Sequence, residues 1–188
     1  MIGAERGEMI DLMLKVQRDE NHLSEGLYKM VNPNFFIVGA VKAGTTLLYH
    51  YLSQHSNIYM CPIKEPHHFC TDIRCEDFSQ DYRRQTCFDM EKYLNKSPLQ
   101  MKHIAFIESR KQYLDLFREM KSERMAGEVS TGYLYSHNAA KEIHKFNPNA
   151  KIIMVLREPV ERAFSHWVMD LRGTDVCRKS FLDAIEVD

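Results

Sequence analysis

Residues 35–48 read Phe-Phe-Ile-Val-Gly-Ala-Val-Lys-Ala-Gly-Thr-Thr-Leu-Leu, and this stretch decides the fold. The apolar residues before the first glycine are typical of a central parallel strand buried on both faces. Residues 45–55 then have helical spacing, with Leu48, Tyr51 and Leu52 on one side. A strand, a glycine loop and a helix in this order predict a phosphate site, because loop N–H groups and the positive helix end both attract an anion.

The loop between this strand and helix is close to the P-loop of nucleoside-triphosphate enzymes, in which two glycines five apart precede Lys and then Ser or Thr. Gly39 and Gly44 have that spacing, but Thr45 stands where the Walker lysine would be. The loop's lysine is instead Lys42, two residues before the second glycine. The ammonium must therefore reach a different phosphate oxygen, and the hydroxyls of Thr45 and Thr46 are further candidate donors.

A second apolar run, residues 151–156, predicts another strand that ends at Arg157. A magnesium-dependent nucleotidase would need an acidic residue at such a strand end, so the arginine argues against a metal site. Ligands of α/β sheets bind at the carboxyl ends of strands, where Arg157 can donate two hydrogen bonds to a phosphate. Pro159 suits the first turn of a helix that carries Ser165 about two turns further on. Ser165 can reach the same phosphate if this helix packs beside the strand end.

Taken together, the two motifs resemble those of the sulfotransferases that use 3′-phosphoadenosine 5′-phosphosulfate (PAPS). The resemblance implies a P-loop-like α/β sandwich of three layers, with a central parallel sheet flanked by helices. The first loop is similar to the family's 5′-phosphosulfate loop, which assigns donor binding to Lys42, Ala43, Gly44, Thr45 and Thr46. Residues 151–167 are similar to the family's 3′-phosphate signature, which assigns Arg157 and Ser165 to the 3′-phosphate.

Residues 62–69, Pro-Ile-Lys-Glu-Pro-His-His-Phe, follow a short predicted strand at residues 58–60. They resemble a stretch of Golgi-type carbohydrate sulfotransferases and their bacterial relatives whose glutamate is the catalytic base, which implies that role for Glu65. His67 is the alternative base, since an imidazole titrates near neutral pH. Nearby cations would lower the pKa of Glu65 and burial would raise it, so the sequence leaves the direction open.

Residues 126–135 resemble the Gly-Glu-x-Ser/Thr-x-x-Tyr segment of bacterial sulfotransferases. This segment offers Glu128 three roles: orienting a lysine, binding the acceptor, or competing with Glu65 as base. Ser130 or Thr131 could donate to a phosphate. A polar turn that only joins a strand to a helix is an equal alternative.

The chemistry implied by the resemblance is in-line transfer of a sulfuryl group from PAPS to a hydroxyl or amine of a carbohydrate or small-molecule acceptor. Lys42 would stabilise the charge that develops as 3′,5′-adenosine bisphosphate (PAP) leaves, and no metal is required. Two alternatives remain: a P-loop nucleotide kinase or NTPase, and a nucleotide-binding fragment without activity.

Bulk composition limits the other functions. The 188 residues, 44% of them hydrophobic, fit one domain with a real core. A net charge of −1 gives no sign of a nucleic-acid surface. The five cysteines have irregular spacing, which favours free thiols over a zinc site built from Cys70 and Cys75 with His67 and His68. The absence of a membrane-length apolar run and of a secretory pattern predicts a cytoplasmic enzyme without a membrane partner, and a luminal fragment is the alternative.

Along the chain, residues 1–33 predict a helical segment that packs on a PAPS-binding domain formed by residues 34–188. Residues 70–97 lack clear periodicity and predict a long loop over the active-site face, which would contribute to acceptor binding. Residues 109–121 and 137–146 predict two helices. The resemblance also implies that the chain ends before a basic, glycine-containing loop with which the family covers its donor.

Overall fold

The computed structural model describes residues 32–173 and 180–186. The predicted helical segment at residues 1–33 therefore lies almost wholly outside the described residues. The elements in chain order are β1 (Phe35–Gly39), α1 (Thr45–Leu52), β2 (Ile58–Met60), α2 (Gln80–Thr86), α3 (Met90–Leu94), α4 (Arg110–Asp115), β3 (Met125–Val129), α5 (Ala139–Phe146), β4 (Lys151–Met154), α6 (Pro159–Gly173) and α7 (Phe181–Ile185). Two 3₁₀ turns, Cys75–Asp77 and Thr131–Leu134, lie between them.

The four strands form one parallel sheet in the order β2-β3-β1-β4. Strand β1 is buried along its whole length, because successive side chains enter hydrophobic clusters on opposite faces of the sheet. Phe35 and Ile37 pack in the cluster that contains Leu52 of α1, whereas Phe36 and Val38 pack in the other cluster. Helices on both faces of a parallel sheet confirm the predicted α/β sandwich.

Strands β1 and β2 have the predicted bounds, but other elements are shorter than predicted. The helix expected at residues 45–55 ends at Leu52, and the strand expected at residues 151–156 ends at Met154. The expected apolar side of α1 was wrong at one position: Tyr51 is exposed, and Tyr49 is buried instead. The Tyr49 hydroxyl donates to the carbonyl of Cys61 at 2.9 Å, so this ring is fixed between α1 and the segment after β2.

The segment at residues 70–97 is not the continuous loop that the sequence predicted, because it contains a 3₁₀ turn and the helices α2 and α3. Side chains cap both helices: Ser79 accepts a hydrogen bond from the N–H of Tyr82, and Asp89 accepts one from the N–H of Lys92. These helices of seven and five residues are too short for an apolar repeat to show in the sequence. Capping residues were the signal that could have indicated them.

All four strands run in the same direction, so their carboxyl ends lie along one edge of the sheet. The loops that leave this edge, at residues 40–44, 61–67, 130–135 and 155–158, contain Lys42, Glu65, His67 and Arg157. Ligands of open α/β sheets bind at this edge. The topology therefore places these four residues at the same edge of the sheet.

Candidate donor and acceptor site

A cavity of about 780 Å³ lies at this sheet edge. Its volume is within the range of small-molecule and cofactor sites. Most of the predicted site residues border it: Lys42, Gly44, Thr45, Thr46, Glu65, His67, Arg157 and Ser165. Ala43, predicted as a donor-binding residue, does not border the cavity, and its N–H donates within the loop to the carbonyl of Ala40 at 3.2 Å.

The loop after β1 ends at a left-handed glycine and is held by backbone hydrogen bonds. Gly44 precedes α1 with φ of 101°, a left-handed conformation that favours glycine. Two hydrogen bonds fix the loop on β4: the N–H of Ala40 donates to the carbonyl of Val155 at 2.7 Å, and the N–H of Val155 donates to that of Gly39 at 2.8 Å. The loop therefore presents Lys42, which is half-buried, and the amino end of α1 to the same cavity.

Arg157 connects the two donor motifs. Its Nη1 donates to the carbonyl oxygen of Lys42 at 3.5 Å, and its Nε donates to the carboxylate of Glu161 at 3.1 Å. Helix α6 packs so that Ser165 also borders the cavity, which is the arrangement that the sequence required for a shared phosphate site. Arg157 is exposed, so its guanidinium lies open to a ligand from the cavity side.

Glu65 lies at the other end of the cavity, in a group of buried polar residues. Its Oε1 contacts Nζ of Lys64, and its Oε2 accepts a hydrogen bond from the hydroxyl of Thr131 at 2.8 Å. Nε2 of His67 is 3.7 Å from Oε2. Burial opposes ionisation of Glu65, but the Lys64 ammonium and the Thr131 hydroxyl outweigh burial and lower its pKa below the ordinary value. The Lys64 ammonium and the Thr131 hydroxyl therefore decide the direction of the Glu65 pKa shift, which the sequence left open.

His67 is held in a fixed orientation beside Glu65. Its ring stacks on Phe106 with centroids 4.9 Å apart, and its Nδ1 is 3.3 Å from the carbonyl oxygen of Ala105. Burial lowers the pKa of His67, and the nearby Glu65 carboxylate offsets this only in part. A neutral imidazole that donates from Nδ1 to the carbonyl would direct the lone pair of Nε2 toward the Glu65 side. A Cβ atom on Gly132 would lie 2.8 Å from this ring, so the close approach requires glycine.

Backbone strain marks the same residues. Within residues 32–173 and 180–186, three non-glycine residues have positive φ: Lys42 at 64°, Glu65 at 67° and His67 at 48°. Such conformations are uncommon outside glycine and cluster at functional sites. All three are the residues that the sequence predicted as catalytic, which supports their assignment on grounds independent of the motifs.

Glu128 does not have an acceptor-facing role. Its side chain is fully buried, does not border the cavity and accepts hydrogen bonds from the hydroxyls of Tyr113, Tyr133 and Ser130 at 2.7–2.8 Å. Burial raises its pKa to about 7 despite these three donors. Ser130 in turn accepts from the N–H of His67 at 3.2 Å. Glu128 therefore positions the His67 backbone through Ser130 and is neither a competing base nor an acceptor ligand.

The structure adds residues that the sequence did not indicate. Four aromatic residues form one side of the cavity next to His67: Phe78 and Tyr82 of the segment at residues 70–97, together with Phe106 and Tyr135. The sequence predicted that residues 70–97 contribute to acceptor binding but did not single out Phe78 or Tyr82, and Phe106 and Tyr135 come from other parts of the chain. The sequence allowed Lys64 to pair with Glu65, and the structure adds that Lys64 is buried beside it.

Metal and membrane features were sought in the same residues. In the described ranges, no group of three or more His, Cys, Asp or Glu side chains is arranged to hold a metal ion. Cys61, Cys70, Cys75 and Cys87 are free thiols, and Cys177 lies outside the described residues. Among the helices that the structure describes, none has the length and apolar character needed to cross a bilayer.

The fold is a parallel α/β sandwich with a cavity at the carboxyl edge of its sheet. The chain belongs to the sulfotransferase family, because the model of that family matches residues 33–188. Carbohydrate sulfotransferase 15 of Homo sapiens is 29% identical over 155 residues, which cover 72% of this chain and 27% of that protein. The membrane-associated sulfotransferase kil1 of Dictyostelium discoideum is 28% identical over 135 residues, covering 72% of this chain and 22% of that protein.

A solved structure is also similar. The crystal structure of a sulfotransferase from Alicyclobacillus acidocaldarius has 35% sequence identity and a TM-score of 0.60, over 81% of this chain and 55% of that one. The present chain spans about a quarter of the length of the curated relatives. The family match includes the loops that follow β1 and β4.

Proposed function

We propose that this chain binds PAPS and transfers its sulfuryl group to a hydroxyl or amine of a carbohydrate or small-molecule acceptor. The observation that carries the proposal is the convergence of Lys42, Glu65, Arg157 and Ser165 on one cavity from three loops and one helix. The family membership supports a sulfuryl donor over a nucleoside triphosphate. The carbohydrate acceptor follows the name of the human relative, and the cytoplasmic location stays a prediction.

The donor would occupy the end of the cavity formed by the β1 and β4 loops. Arg157 and Ser165 would hold the 3′-phosphate, since a guanidinium can donate two parallel hydrogen bonds to phosphate oxygens. Lys42, the loop N–H groups, Thr45 and Thr46 would hold the 5′-phosphosulfate. These groups converge because the Arg157 guanidinium lies against the carbonyl of Lys42.

Transfer requires a base on the acceptor side and a positive group on the leaving side. Glu65 is ionised because Lys64 and Thr131 lower its pKa, so it can accept the acceptor's proton as the new oxygen–sulfur bond forms. The bond between sulfur and the bridging oxygen of PAPS breaks at the same time, and PAP carries away the electron pair. Lys42 would stabilise the charge that develops on that bridging oxygen.

The acceptor would enter between the aromatic side of the cavity and the Glu65 carboxylate. Phe78, Tyr82 and Tyr135 offer apolar surface against which a sugar ring or an aromatic acceptor can pack. The segment at residues 70–97, predicted to contribute to acceptor binding, supplies Phe78 and Tyr82 to this surface. The acceptor's reacting group would then lie near Glu65, in line with the donor's sulfur.

Calorimetric titration with PAP tests the proposal on the purified chain. We expect Lys42→Ala and Arg157→Ala each to weaken PAP affinity by about tenfold to a hundredfold, which is the effect of removing a charged hydrogen-bond donor. Lys111→Ala and Arg124→Ala remove the same charges from exposed positions outside the cavity and should leave PAP affinity unchanged.

A parallel titration with ATP and Mg²⁺ separates the alternatives. Preference for ATP over PAP would favour the nucleotide kinase, and absence of PAP binding by the folded chain would contradict the donor site. PAP binding without sulfuryl transfer to any acceptor in a panel of sugars and phenols would favour a nucleotide-binding fragment without activity.

A further inference from the structure

Two thiols outside the donor site lie in direct contact. Sγ of Cys75 is 2.6 Å from Sγ of Cys87, and Oγ1 of Thr86 is 3.6 Å from Sγ of Cys75. Cys75 begins the 3₁₀ turn before α2 and Cys87 directly follows that helix, so the two thiols bracket the helix. The segment between the two cysteines therefore forms a loop whose ends meet at the two thiols.

The pair is open to small molecules. A second cavity, of about 570 Å³, borders both thiols and shares His67 and Phe106 with the main cavity. Cys87 is exposed, whereas Cys75 is only 9% exposed. Because Cys87 is the exposed thiol, a reagent meets it first. Burial raises the pKa of the Cys75 thiol.

The bracketed segment also forms part of the acceptor side of the main cavity. Phe78 and Tyr82 both lie between the two cysteines, and their rings are 4.7 Å apart. Phe78 is 5.5 Å from the ring of Phe106, which stacks on His67. A series of ring contacts therefore connects the segment between the thiols with the base end of the site.

We propose that Cys75 and Cys87 are a redox modification site, at which a disulfide oxidant of low molecular weight joins the two thiols and fixes Phe78 and Tyr82 against the acceptor side of the cavity. With glutathione disulfide as the oxidant, the Cys87 thiolate attacks one glutathione sulfur and releases one glutathione. The Cys75 thiolate then attacks the Cys87 sulfur and releases the second glutathione. Two protein thiols are oxidised, one glutathione disulfide is reduced, and both thiol protons pass to the glutathione thiolates.

Peptide mapping of the whole chain tests the pairing. The chain is incubated with glutathione disulfide, alkylated and digested with trypsin without reduction. Trypsin cleaves after Arg74, Arg83, Arg84 and Lys92, so we expect peptide 75–83 to be joined to peptide 85–92, with the loss of two hydrogens. Dithiothreitol should separate the two peptides.

Variants keep the test specific to this pair. Cys75→Ser and Cys87→Ser should each abolish the joined peptide, whereas Cys70→Ser, which removes a thiol bordering the same cavity, should retain it. Every cysteine of the chain lies in a different tryptic peptide, so a link through Cys61, Cys70 or Cys177 would be recognised and would overturn the proposal. Free alkylatable thiols at Cys75 and Cys87, or stable glutathione adducts on them, would also overturn it.

Limited proteolysis tests whether the link fixes the cavity wall. Arg83 and Arg84 are exposed on α2 inside the bracketed segment. We expect oxidation to slow native cleavage there by about tenfold, because a closed loop restricts the local opening that cleavage needs. An unchanged cleavage rate in the joined protein would contradict the effect on the wall. The cleavage rate is measured without donor or acceptor, so this result does not depend on the proposed sulfuryl transfer. We expect PAP affinity to be the same in both redox states.

Discussion

The two ends of the main cavity are built in opposite ways. We call them the donor end and the base end after the roles proposed for their residues. At the donor end, Arg157 and Thr46 are exposed and Lys42 is half-buried. At the base end, Lys64 is 1% exposed and Glu65 is 9% exposed, and both are held by buried contacts. The side chains of the donor end are therefore largely open to solvent, whereas those of the base end are already fixed by buried contacts.

This difference has an electrostatic reason. A polyanionic donor brings its own charge, so solvated cations can rearrange around it at small cost. A general base must instead keep one protonation state and one orientation while the acceptor is bound, and buried partners provide both. Single substitutions should thus be severe at the base end and milder at the donor end.

The largest expected effect is that of Glu65→Gln. The substitution keeps the shape of the side chain but removes the proton acceptor, so we expect turnover to fall about a thousandfold, within the usual range for loss of a general base. Sulfuryl transfer from labelled PAPS to a panel of sugar and phenol acceptors measures it, with Glu108→Gln on an exposed glutamate as the matched control. Turnover within tenfold of the original, with PAP binding intact, would assign the role of general base to His67. It would also contradict the proposed difference between the two ends of the cavity.

The next effect is on stability, at Lys64. Lys64→Met leaves the Glu65 carboxylate buried without its cation, and we expect the free energy of unfolding near neutral pH to fall by about 3 kcal/mol. Because the pair lowers the pKa of Glu65, its contribution is present above the ordinary carboxyl range and is lost as the pH falls through the folded pKa. Denaturant unfolding at several pH values should therefore show a gap between the two proteins that narrows in acid.

A double variant controls this experiment. Lys64→Met combined with Glu65→Gln removes both charges, so it should recover part of the stability that Lys64→Met alone loses. If the double variant is as unstable as the sum of the two single variants, the two side chains act independently and the buried pair does not organise the base end.

A smaller effect, of opposite pH dependence, is expected at Glu128. Its pKa is raised to about 7 from an ordinary value of 4.5, so the folded state keeps the proton that the unfolded state loses first. Stability should thus fall by roughly 2–3 kcal/mol as the pH rises between these two values, and level off above them. In Glu128→Gln this slope should vanish, whereas Glu91→Gln on an exposed residue should keep it. Thermal unfolding across this pH range measures the difference.

The smallest effect is expected at the donor end, at Thr46. Thr46→Ala removes one solvated hydroxyl donor among several groups around the phosphosulfate, so PAP affinity should weaken by about threefold. Ser122→Ala removes an exposed hydroxyl elsewhere and serves as the calorimetric control. A loss of a hundredfold or more would show that the donor end is as strictly organised as the base end.

Much of the donor end could be predicted from the sequence because its parts are contiguous. The strand, the loop with Lys42 and the helix start follow one another within residues 35–48, and Arg157 follows its own strand directly. The N–H of Ala43 donates inside the loop, which the sequence could not show, and its assignment to the donor stays a prediction. The assignments of Lys42, Arg157 and Ser165 to the donor stay predictions until PAP is titrated.

The base end could be predicted only in part. The motif at residues 62–69 pointed to Glu65 and His67, but the direction of the Glu65 pKa depends on Thr131, which is 66 residues away, and on how deeply Lys64 is buried. The resemblance of residues 126–135 left Glu128 three roles, as an orienting group, an acceptor ligand or a competing base. Its burial under two tyrosines could not be read from neighbouring residues.

The sequence alone determined the parallel α/β fold, its strand-loop-helix motif and the membership of the sulfotransferase family, because these features depend on apolar periodicity and on glycines a few residues apart. The tertiary structure decided which partners surround Glu65, why Glu128 is withdrawn from the cavity, which aromatic rings form the acceptor side, and that Cys75 meets Cys87. These features depend on the distances and burial of residues that are separated along the chain. Burial and neighbouring charge set a pKa, and both arise only when the sheet brings its four loops to one edge.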